Sequence, residues 1–314
     1  MHHRKRWNND VKRSLFFFLL NPMSNIALVI EERAHEVGNF LVGRLLPFHS
    51  KRMVGPFIFI DHMGPAEFRA NENFDVGPHP HIGLSTLTYL FEGSVMHRDS
   101  LGTSIEIKPG QVNWMTAGHG IVHSERTPDH VRPIAKRMHG LQIWVALPKD
   151  DEDTEPNFYH ADEDELPAWH DNGAQYRLIA GSVMGHRSPV PVYSPLYLLE
   201  IKTHETTTIT IGDQLFGESG LYILEGSVES DGTIFEPRRI LIAKDSTLCS
   251  FTMHAGSTVY IFGGEPFAEP RFMYWNFVAT SRERLESAKE RWQNQEFPAI
   301  AGETEFVPLP VSKS

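Results

Sequence analysis

The sequence predicts an all-β protein made of two tandem β-barrels, with a short helix near the C-terminus. Three observations predict this fold: short segments of alternating apolar and polar residues, glycine and proline at short intervals between them, and one internal repeat. Short strands at regular spacing with turn residues between them are typical of barrels and sandwiches. A chain of 314 residues is long enough for two domains that each bury a core.

Several strands can be identified from the period-two alternation of their side chains. Residues 86–91 (TLTYLF) alternate and end at a Glu-Gly pair, and residues 141–147 (LQIWVAL) alternate again. In the second half, residues 206–211 (TTTITI) show the same pattern. Such alternation is expected when the two faces of a strand meet different surroundings, so these segments are predicted to be strands.

An internal repeat predicts two copies of one domain. Residues 89–95 (YLFEGSV) return as residues 222–228 (YILEGSV), an offset of 133. Further along, a Lys-Pro pair at 108–109 has a counterpart in the Glu-Pro pair at 236–237, an offset of 128. Chance similarity between two hydrophobic strands is the alternative, but the repeated order of strand, Glu-Gly turn and proline-entered strand favours duplication.

The predicted domain boundaries follow this repeat and the distribution of charge. Residues 1–22 are interpreted as a disordered extension, because the apolar run that begins at Leu15 is too short for a signal-peptide core or a membrane span. Residues 23–148 are predicted to form the first barrel. The acid-rich residues 149–165 are predicted to be a solvated linker, and residues 166–314 the second barrel with its terminal helix.

One amphipathic helix is predicted close to the C-terminus. Thr280 and Glu283 have the spacing of a capping box that would begin it. The apolar residues Leu285, Ala288 and Trp292 recur on one face. We therefore expect this face to lie against the second barrel.

Charge and cysteine content argue against several functions. Acidic residues outnumber basic ones by 40 to 29, for a net charge of -11. This balance argues against direct binding of nucleic acid, which relies on Lys and Arg to neutralise phosphates. The one cysteine, Cys249, is expected to be a buried thiol, and a reducing cytoplasm fits best. No stretch is apolar enough for a membrane helix.

Two short motifs in the first half predict a metal site. GPHPH places His79 and His81 two positions apart, and HSE does the same for His123 and Glu125. In a strand such pairs leave the same face, roughly 6–7 Å apart, so two neighbouring strands would point all four groups into a lumen. Three imidazoles and one carboxylate suit a divalent first-row metal and leave positions open. Surface histidines in a proline-rich loop are the alternative, which the second pair makes the weaker interpretation.

The segments that contain these motifs resemble the pirin family. HPHIGLSTLTYLFEGSV (79–95) and KPGQVNWMTAGHGIVHSE (108–125) are similar to the first cupin domain of pirin and its bacterial relatives. The likeness extends over roughly residues 28–300. It implies two tandem cupin barrels, each a double-stranded β-helix.

The resemblance also implies a set of metal ligands. The two histidines of the family's first motif correspond to His79 and His81, and the ligands of the second motif to His123 and Glu125. One divalent metal ion per chain is implied, with iron as the usual family metal and manganese, nickel, copper and zinc as alternatives. General cupins place a glutamate soon after the first pair; none is present there, so Glu125 must supply the carboxylate.

Other histidines of the first half are assigned different roles. Pirin has an arginine where this sequence has His119, and His119 and His62 are candidates for lining the pocket. His97, His130 and His139 are expected to be structural, as most lone histidines are.

The second barrel is expected to lack a metal site. Shifting the four ligand positions by the repeat offsets leads to Gly212, Gln214, Phe251 and Met253. These residues do not form a credible ligand set, so the lumen of this barrel is expected to be filled with apolar side chains.

The resemblance implies two alternative functions. Some pirin-like proteins are described as quercetin 2,3-dioxygenases, which implies an enzyme that uses O₂ on a flavonol or another small aromatic or enediol substrate, with Glu125 as the catalytic base. The alternative is a non-enzymatic protein whose metal reports redox state to a protein partner such as a transcription factor. A roomy pocket above the metal, open to solvent, would favour catalysis.

Overall fold

The computed structural model describes residues 25–37, 40–244 and 250–310, and β-strands dominate it. In chain order the strands are β1 (Ile26–Glu31), β2 (Arg33–Val37), β3 (Phe40–Leu46), β4 (Phe57–Phe68), β5 (Asp75–His81), β6 (Leu84–Glu92), β7 (Val95–Asp99), β8 (Ser104–Ile107), β9 (Val112–Thr116), β10 (Ile121–Arg126), β11 (Lys136–Ala146), β12 (Asn157–Ala161), β13 (Ala168–Asp171), β14 (Ala174–Val183), β15 (His186–Arg187), β16 (Leu196–Thr203), β17 (Thr207–Thr210), β18 (Glu218–Glu225), β19 (Val228–Ser230), β20 (Thr233–Phe235), β21 (Arg239–Ala243), β22 (Ser250–Met253), β23 (Thr258–Gly264), β24 (Phe272–Tyr274) and β25 (Phe277–Ala279). An α-helix, α1 (Arg282–Gln293), follows the last strand. Short 3₁₀ turns occur in the connections at Asp129–Val131, Lys149–Asp151, Glu163–Glu165 and Gly212–Gln214. The predicted all-β class is confirmed. The predicted extension 1–22 and Cys249 lie outside the described residues.

Each half of the chain forms a barrel from one large and one small antiparallel sheet. In the first barrel the strand orders are β12-β9-β6-β11-β4-β3-β2 and β5-β10-β7-β8. In the second they are β1-β21-β18-β23-β16-β14-β13 and β17-β22-β19-β20. The two sets of orders correspond strand for strand, so the duplication predicted from the repeat is confirmed.

The repeated sequence segment occupies equivalent places in the two barrels. β6 and β18 are interior strands of the large sheets, and each ends at the predicted Glu-Gly turn. Gly93 and Gly226 have φ angles of 84° and 72°, a region that glycine adopts without steric cost. Tyr89 and Tyr222 are both buried where the barrels meet. The repeat therefore reflects a backbone requirement and a shared packing role.

The two large sheets pack face to face. Leu87, Trp114, Leu198 and Tyr260 are among the buried side chains that the two sheets contribute to one continuous apolar core. Across this core the rings of Phe57 and Phe262 meet edge to face, 5.3 Å apart. Because this contact is apolar and extensive, the barrels are parts of one packed unit.

Strand pairing crosses the predicted domain boundaries. β1, assigned by the sequence to the first barrel, pairs with β21 of the second, and buries Ile26 and Ile30 there. β12 lies within the predicted linker and pairs with β9 of the first barrel. Each strand extends the sheet of the barrel that it joins, which satisfies backbone groups that would otherwise lie exposed at a sheet edge.

Part of the predicted linker is buried rather than solvated. Glu152 is 2% exposed, its Oε2 accepts a hydrogen bond from the hydroxyl of Thr280 at 2.9 Å and lies 3.2 Å from Nε of Arg284. Asp153 also pairs with Arg284. A buried carboxylate requires such partners, so this acidic turn anchors the start of α1.

Helix α1 begins one residue later than predicted, because its N-cap is Ser281 and not Thr280. Ser281 is the N-cap, and its hydroxyl accepts a hydrogen bond from the backbone N–H of Arg284 at 3.3 Å. The prediction that Thr280 caps the helix is wrong, because its hydroxyl donates to Glu152 instead. No helix in the described part of the chain is long and apolar enough to cross a membrane.

The apolar face of α1 packs on the first barrel. Leu285, Ala288 and Trp292 are buried, as predicted, but they share a core with Ile82 and Val122. The expectation that this face lies against the second barrel is therefore wrong. The hairpin of β24 and β25 carries the chain back to the first barrel before the helix begins, and β25 forms a bridge to Ile82.

Apolar side chains fill the interior of the second barrel. Phe251 and Met253 are 3% and 0% exposed and pack with other buried residues of both its sheets. The residue opposite Phe251 is Ile209, just as His79 lies opposite His123 in the first barrel. Gly212, the predicted counterpart of His79, does not occupy this position. It lies in a 3₁₀ turn after β17, so the offset of 133 between the two halves does not hold here.

Candidate metal centre

Three of the four predicted ligands converge inside the first barrel. His79 and His81 lie on β5, and His123 lies on β10 directly opposite His79. Each offers one ring nitrogen, these nitrogens lie within 4.8 Å of one another, and each residue is at most 8% exposed. β5 is an edge strand, which tolerates Pro78 and Pro80 because one side of it has no ladder to complete.

The spacing and protonation of the three imidazoles fit a divalent metal ion. Nε2 of His81 and Nε2 of His123 are 3.1 Å apart. Metal–nitrogen bonds of about 2.0–2.1 Å separate neighbouring ligand atoms by roughly 2.9–3.4 Å in common geometries. Burial lowers the pKa of His79 and lowers the pKa of His81 and His123 still further, with the neighbouring imidazoles adding to the effect in those two. The rings are therefore neutral, which is the form that coordinates metals.

A backbone hydrogen bond orients the first of these rings. Nδ1 of His79 donates to the carbonyl of Gly77 at 2.8 Å. With its proton on Nδ1, the imidazole directs the lone pair of Nε2 towards the other two histidines. Such a bond on the outer nitrogen fixes the tautomer and the orientation of a metal-binding histidine.

A second imidazole and a carboxylate orient His123. Its Nδ1 lies 3.4 Å from Nδ1 of His97, and Nε2 of His97 lies 3.1 Å from Oδ2 of Asp99. Asp99 also accepts hydrogen bonds from the backbone N–H groups of Leu101 and Thr103. Burial raises the pKa of Asp99, but these bonds outweigh it and hold that pKa below its ordinary value. The ionised Asp99 accepts a hydrogen bond from Nε2–H of His97, which leaves Nδ1 of His97 as an acceptor. His123 therefore donates from Nδ1 and turns Nε2 to the cluster.

Glu125 lies beside the histidines but outside their converging group. Among the residues that the structure describes, the ligand atoms that meet within 4.8 Å at this site are those of the three histidines. Oε1 of Glu125 accepts a hydrogen bond from the hydroxyl of Thr88 at 2.8 Å, and its charge raises the pKa of His79. A register shift between His123 and Glu125 pairs Glu125 with Val76, which displaces it from a regular two-residue spacing. Coordination by Glu125 therefore stays a prediction.

A cavity of about 660 Å³ opens above this cluster. The three histidines and Glu125 form its base. Aromatic side chains line much of its wall: Phe40, Phe59, Phe74, Trp144 and Trp275. The ring of Trp144 meets His81 edge to face, with centroids 5.2 Å apart, so the aromatic wall reaches the metal-binding group itself.

His62 does not line this cavity in the described structure. Asp61 and Met63 do, and alternate residues of a strand face opposite sides, so His62 on β4 points away. Its Nε2 lies 2.7 Å from Nε2 of His139, and its ring packs against Tyr222 of the second barrel. This histidine belongs to the contact between the barrels.

His119 also lies away from the cavity above the cluster. Its Nε2 is 3.2 Å from a carboxylate oxygen of Glu155, and its side chain is 41% exposed. It lines a separate surface cavity of about 320 Å³ between α1 and the turn at Gly83. The structure thus separates both candidate pocket histidines from the three that converge.

The C-terminal segment, residues 303–310, covers the outer face of β10. Glu303 accepts hydrogen bonds from Ser124 at 2.8 Å and from Arg126 at 3.1 and 2.6 Å. Further along, Val307 and Pro310 line the cavity above the cluster. Nothing in the sequence pattern marks this segment, because its partners are distant in the chain.

Comparisons with known proteins agree with the architecture. A family model described as Pirin matches residues 39–145, and one described as Pirin C-terminal cupin domain matches residues 198–298. A pirin-like protein of Caulobacter vibrioides is 47% identical over 291 residues, which cover 91% of this chain and 99% of that protein.

Solved structures show the same fold. A crystal structure of quercetin 2,3-dioxygenase from Acinetobacter baumannii superposes with a TM-score of 0.83 at 35% identity, over 90% of this chain and 95% of that one. A bacterial pirin from Escherichia coli, in complex with nickel(II), has a TM-score of 0.58 at 20% identity, over 76% of this chain and 99% of that one. The second likeness concerns the fold alone. With matching models over both barrels and a relative of this similarity, the chain belongs to the pirin family of bicupin proteins.

Proposed function

We propose that this protein is a metal-dependent dioxygenase of the quercetin 2,3-dioxygenase type, which consumes O₂ and a flavonol or a similar enediol. The observation that carries the proposal is the cavity of about 660 Å³ that ends at the histidine cluster. Pockets for small ligands typically have volumes of roughly 300–1,000 Å³. A site that only reports the state of its metal needs no such space, so the cavity favours catalysis.

The donor set supports a metal role in this chemistry. In the proposal His79, His81, His123 and Glu125 hold one divalent ion, with iron as the metal and manganese, nickel, copper or zinc as alternatives. When bound, such a metal supplies Lewis-acid polarisation of substrate oxygens and a path for electrons to O₂.

In the proposal, Glu125 accepts the substrate proton. Its side chain lies in the cavity base, is only 8% exposed, and is held at Oε1 by the hydroxyl of Thr88. The carboxylate would accept the proton of the enolic hydroxyl while the aromatic walls hold the planar rings and exclude water. A positioned general base typically contributes about 10²–10⁴ in rate.

The test compares flavonol and O₂ consumption by iron-loaded wild type, Glu125→Gln and His81→Ala, with bound metal measured in each. Wild type is expected to consume flavonol and O₂ in equal amounts. Glu125→Gln keeps three imidazoles, so it should retain much of its metal but lose roughly 10²–10⁴-fold in rate per metal ion. His81→Ala should lose metal and activity in proportion.

His130→Ala is the matched control, because His130 is a histidine of the same barrel whose side chain is 64% exposed. It should keep both metal and activity. Full activity per metal ion in Glu125→Gln would contradict the role of the base. If metal-replete wild type consumes no flavonol or enediol, the dioxygenase proposal fails, and a redox-sensing role with a protein partner takes its place.

A further inference from the structure

The wall of the cavity contains a charged pair whose two members are unequally buried. Arg44 on β3 lies opposite Asp61 on β4. Nε and Nη2 of Arg44 donate to Oδ1 and Oδ2 of Asp61 at 2.9 and 2.8 Å. The side chain of Asp61 is 3% exposed and that of Arg44 is 21% exposed, and both line the cavity. The guanidinium is thus the more exposed member of the pair on the cavity wall.

A row of flat groups connects Arg44 to the histidine cluster. The guanidinium carbon of Arg44 lies 4.6 Å from the centroid of the Phe59 ring. Phe59 stacks on Trp144 at 4.0 Å with an interplanar angle of 14°, and Trp144 contacts His81. All four residues line the cavity. A planar ligand that lies along this row with one end at the cluster has its other end at Arg44.

Arg44 has donors that its ion pair does not use. A guanidinium has five N–H donors, and the pair with Asp61 engages one on Nε and one on Nη2. Within the described residues no acceptor is bonded to Nη1. Neutralising the buried Asp61 explains the first two bonds, and the remaining donors of this partly exposed cavity-lining group are left for a ligand.

We propose that Arg44 determines substrate specificity towards planar aromatic ligands. It donates hydrogen bonds to oxygens on the ligand ring that lies farthest from the histidine cluster. This inference rests on the proposed function and narrows its substrate class. Asp61 balances the charge of Arg44, and Glu36 and Glu125 also line the cavity. The local potential therefore favours neutral hydroxyl or carbonyl oxygens over a carboxylate, as in a flavonol with a hydroxylated outer ring.

The test is calorimetric titration of the zinc-loaded full chain, because zinc has no redox chemistry and the ligand is not consumed. The probes are quercetin, whose pendant B ring carries hydroxyls, and the same flavonol without the hydroxyls of the B ring. Wild type is expected to bind quercetin about tenfold or more tightly, as hydrogen bonds to a charged donor imply. Arg44→Lys keeps a cation beside Asp61 but loses the planar fork, so it should bind the two probes equally.

The matched control is Arg33→Lys on the neighbouring strand. Arg33 lies directly opposite Arg44 but donates to the backbone carbonyls of Leu45 and Pro47. It should keep the preference for quercetin. Equal binding of both probes by wild type, or a preference that survives in Arg44→Lys, overturns the inference and leaves the proposed function standing. If neither probe binds zinc-loaded wild type, both the inference and the proposed function fall.

Discussion

The orientation of His123 depends on His97, which contacts His123 but does not itself line the cavity. Nδ1 of His97 accepts a hydrogen bond from Nδ1–H of His123, and Nε2–H of His97 donates a hydrogen bond to Asp99. Replacing His97 with Phe removes this acceptor, while an aromatic ring can still stack on Phe158 as the imidazole does. We expect metal affinity to fall by about 10–100-fold, the usual effect of losing such an outer partner.

Chelator competition measures this affinity, and unfolding by denaturant checks that the fold is retained. His97→Gln keeps a carbonyl acceptor for Nδ1 and should recover part of the loss. An unchanged affinity in His97→Phe would show that His123 does not depend on His97 for its orientation.

The buried histidine pair between the barrels predicts a specific response to acid. Burial, together with His62, Arg238 and Arg137, lowers the pKa of His139 to about 4, whereas a histidine in an unfolded chain has a pKa near 6.5. Between these values the unfolded state binds more protons, so stability falls as the pH drops from about 6.5 towards 4. His139→Gln can still hydrogen-bond to His62 but cannot take up a proton.

We therefore expect metal-free His139→Gln to lose less melting temperature than metal-free wild type over this pH range. The metal-binding histidines respond to acid equally in both proteins, so the difference isolates His139. Parallel curves for the two proteins would contradict this assignment.

The sequence predicts some site residues well for a definite physical reason. His79 and His81 share a strand face because alternate side chains point the same way, and the register of β10 brings His123 opposite. The position of Glu125 could not be predicted, since it depends on a register shift that spacing does not encode. Arg44 and Asp99 acquire their roles only from partners that the fold brings to them.

Among the elements, strands and the buried face of α1 were predictable, and their docking partners were not. Alternation marks which side of a strand is buried, and Leu285, Ala288 and Trp292 mark the buried side of α1. Neither pattern indicates which surface covers the buried side. The burial of Glu152 explains the error at the cap, because a charge-rich segment gives no sign that one of its carboxylates is buried.

The C-terminal segment provides a prediction at the scale of an element. Glu303→Ala removes the hydrogen bonds from Ser124 and Arg126 to a carboxylate whose side chain is 10% exposed. We expect a loss of about 1–3 kcal/mol of unfolding free energy, typical of hydrogen bonds to charged groups. Cleavage within residues 303–310 in limited proteolysis should also become faster.

Glu305→Ala is the control, because Glu305 also pairs with Arg126 but its side chain is 64% exposed. Such exposed pairs contribute about 0–1 kcal/mol. Equal effects of the two substitutions would mean that the segment is not held through Glu303.

For the whole molecule, the duplication was predictable, but the sheets that β1 and β12 join were not. The repeat depends on local features, the Glu-Gly turn and the tyrosine that packs between the barrels, and these survive in the sequence. β1 and β12 precede and follow the first barrel with no repeat to identify them, and each could have joined either sheet. The sheet edge to which each strand is added is a property of the assembled fold.

The position of β1 leads to a prediction about cooperativity. Ile30 comes from the first residues described, lies in a strand of the second barrel, and is 0% exposed in the core shared by both large sheets. Ile30→Ala should destabilise the protein by about 2–5 kcal/mol, as truncation of a buried isoleucine does. Because the core is shared, denaturant should release the metal from the first barrel in the same transition that unfolds the second.

Tryptophan fluorescence and metal release, followed in one titration, measure the two events. Both midpoints should move together in Ile30→Ala. Glu31→Ala, one residue further along β1, removes an exposed side chain that pairs with Arg239, and should shift both midpoints by at most a fraction of that amount. A metal-release midpoint that stays in place while fluorescence shifts would mean that the first barrel unfolds independently, despite the strand and the core that join it to the second.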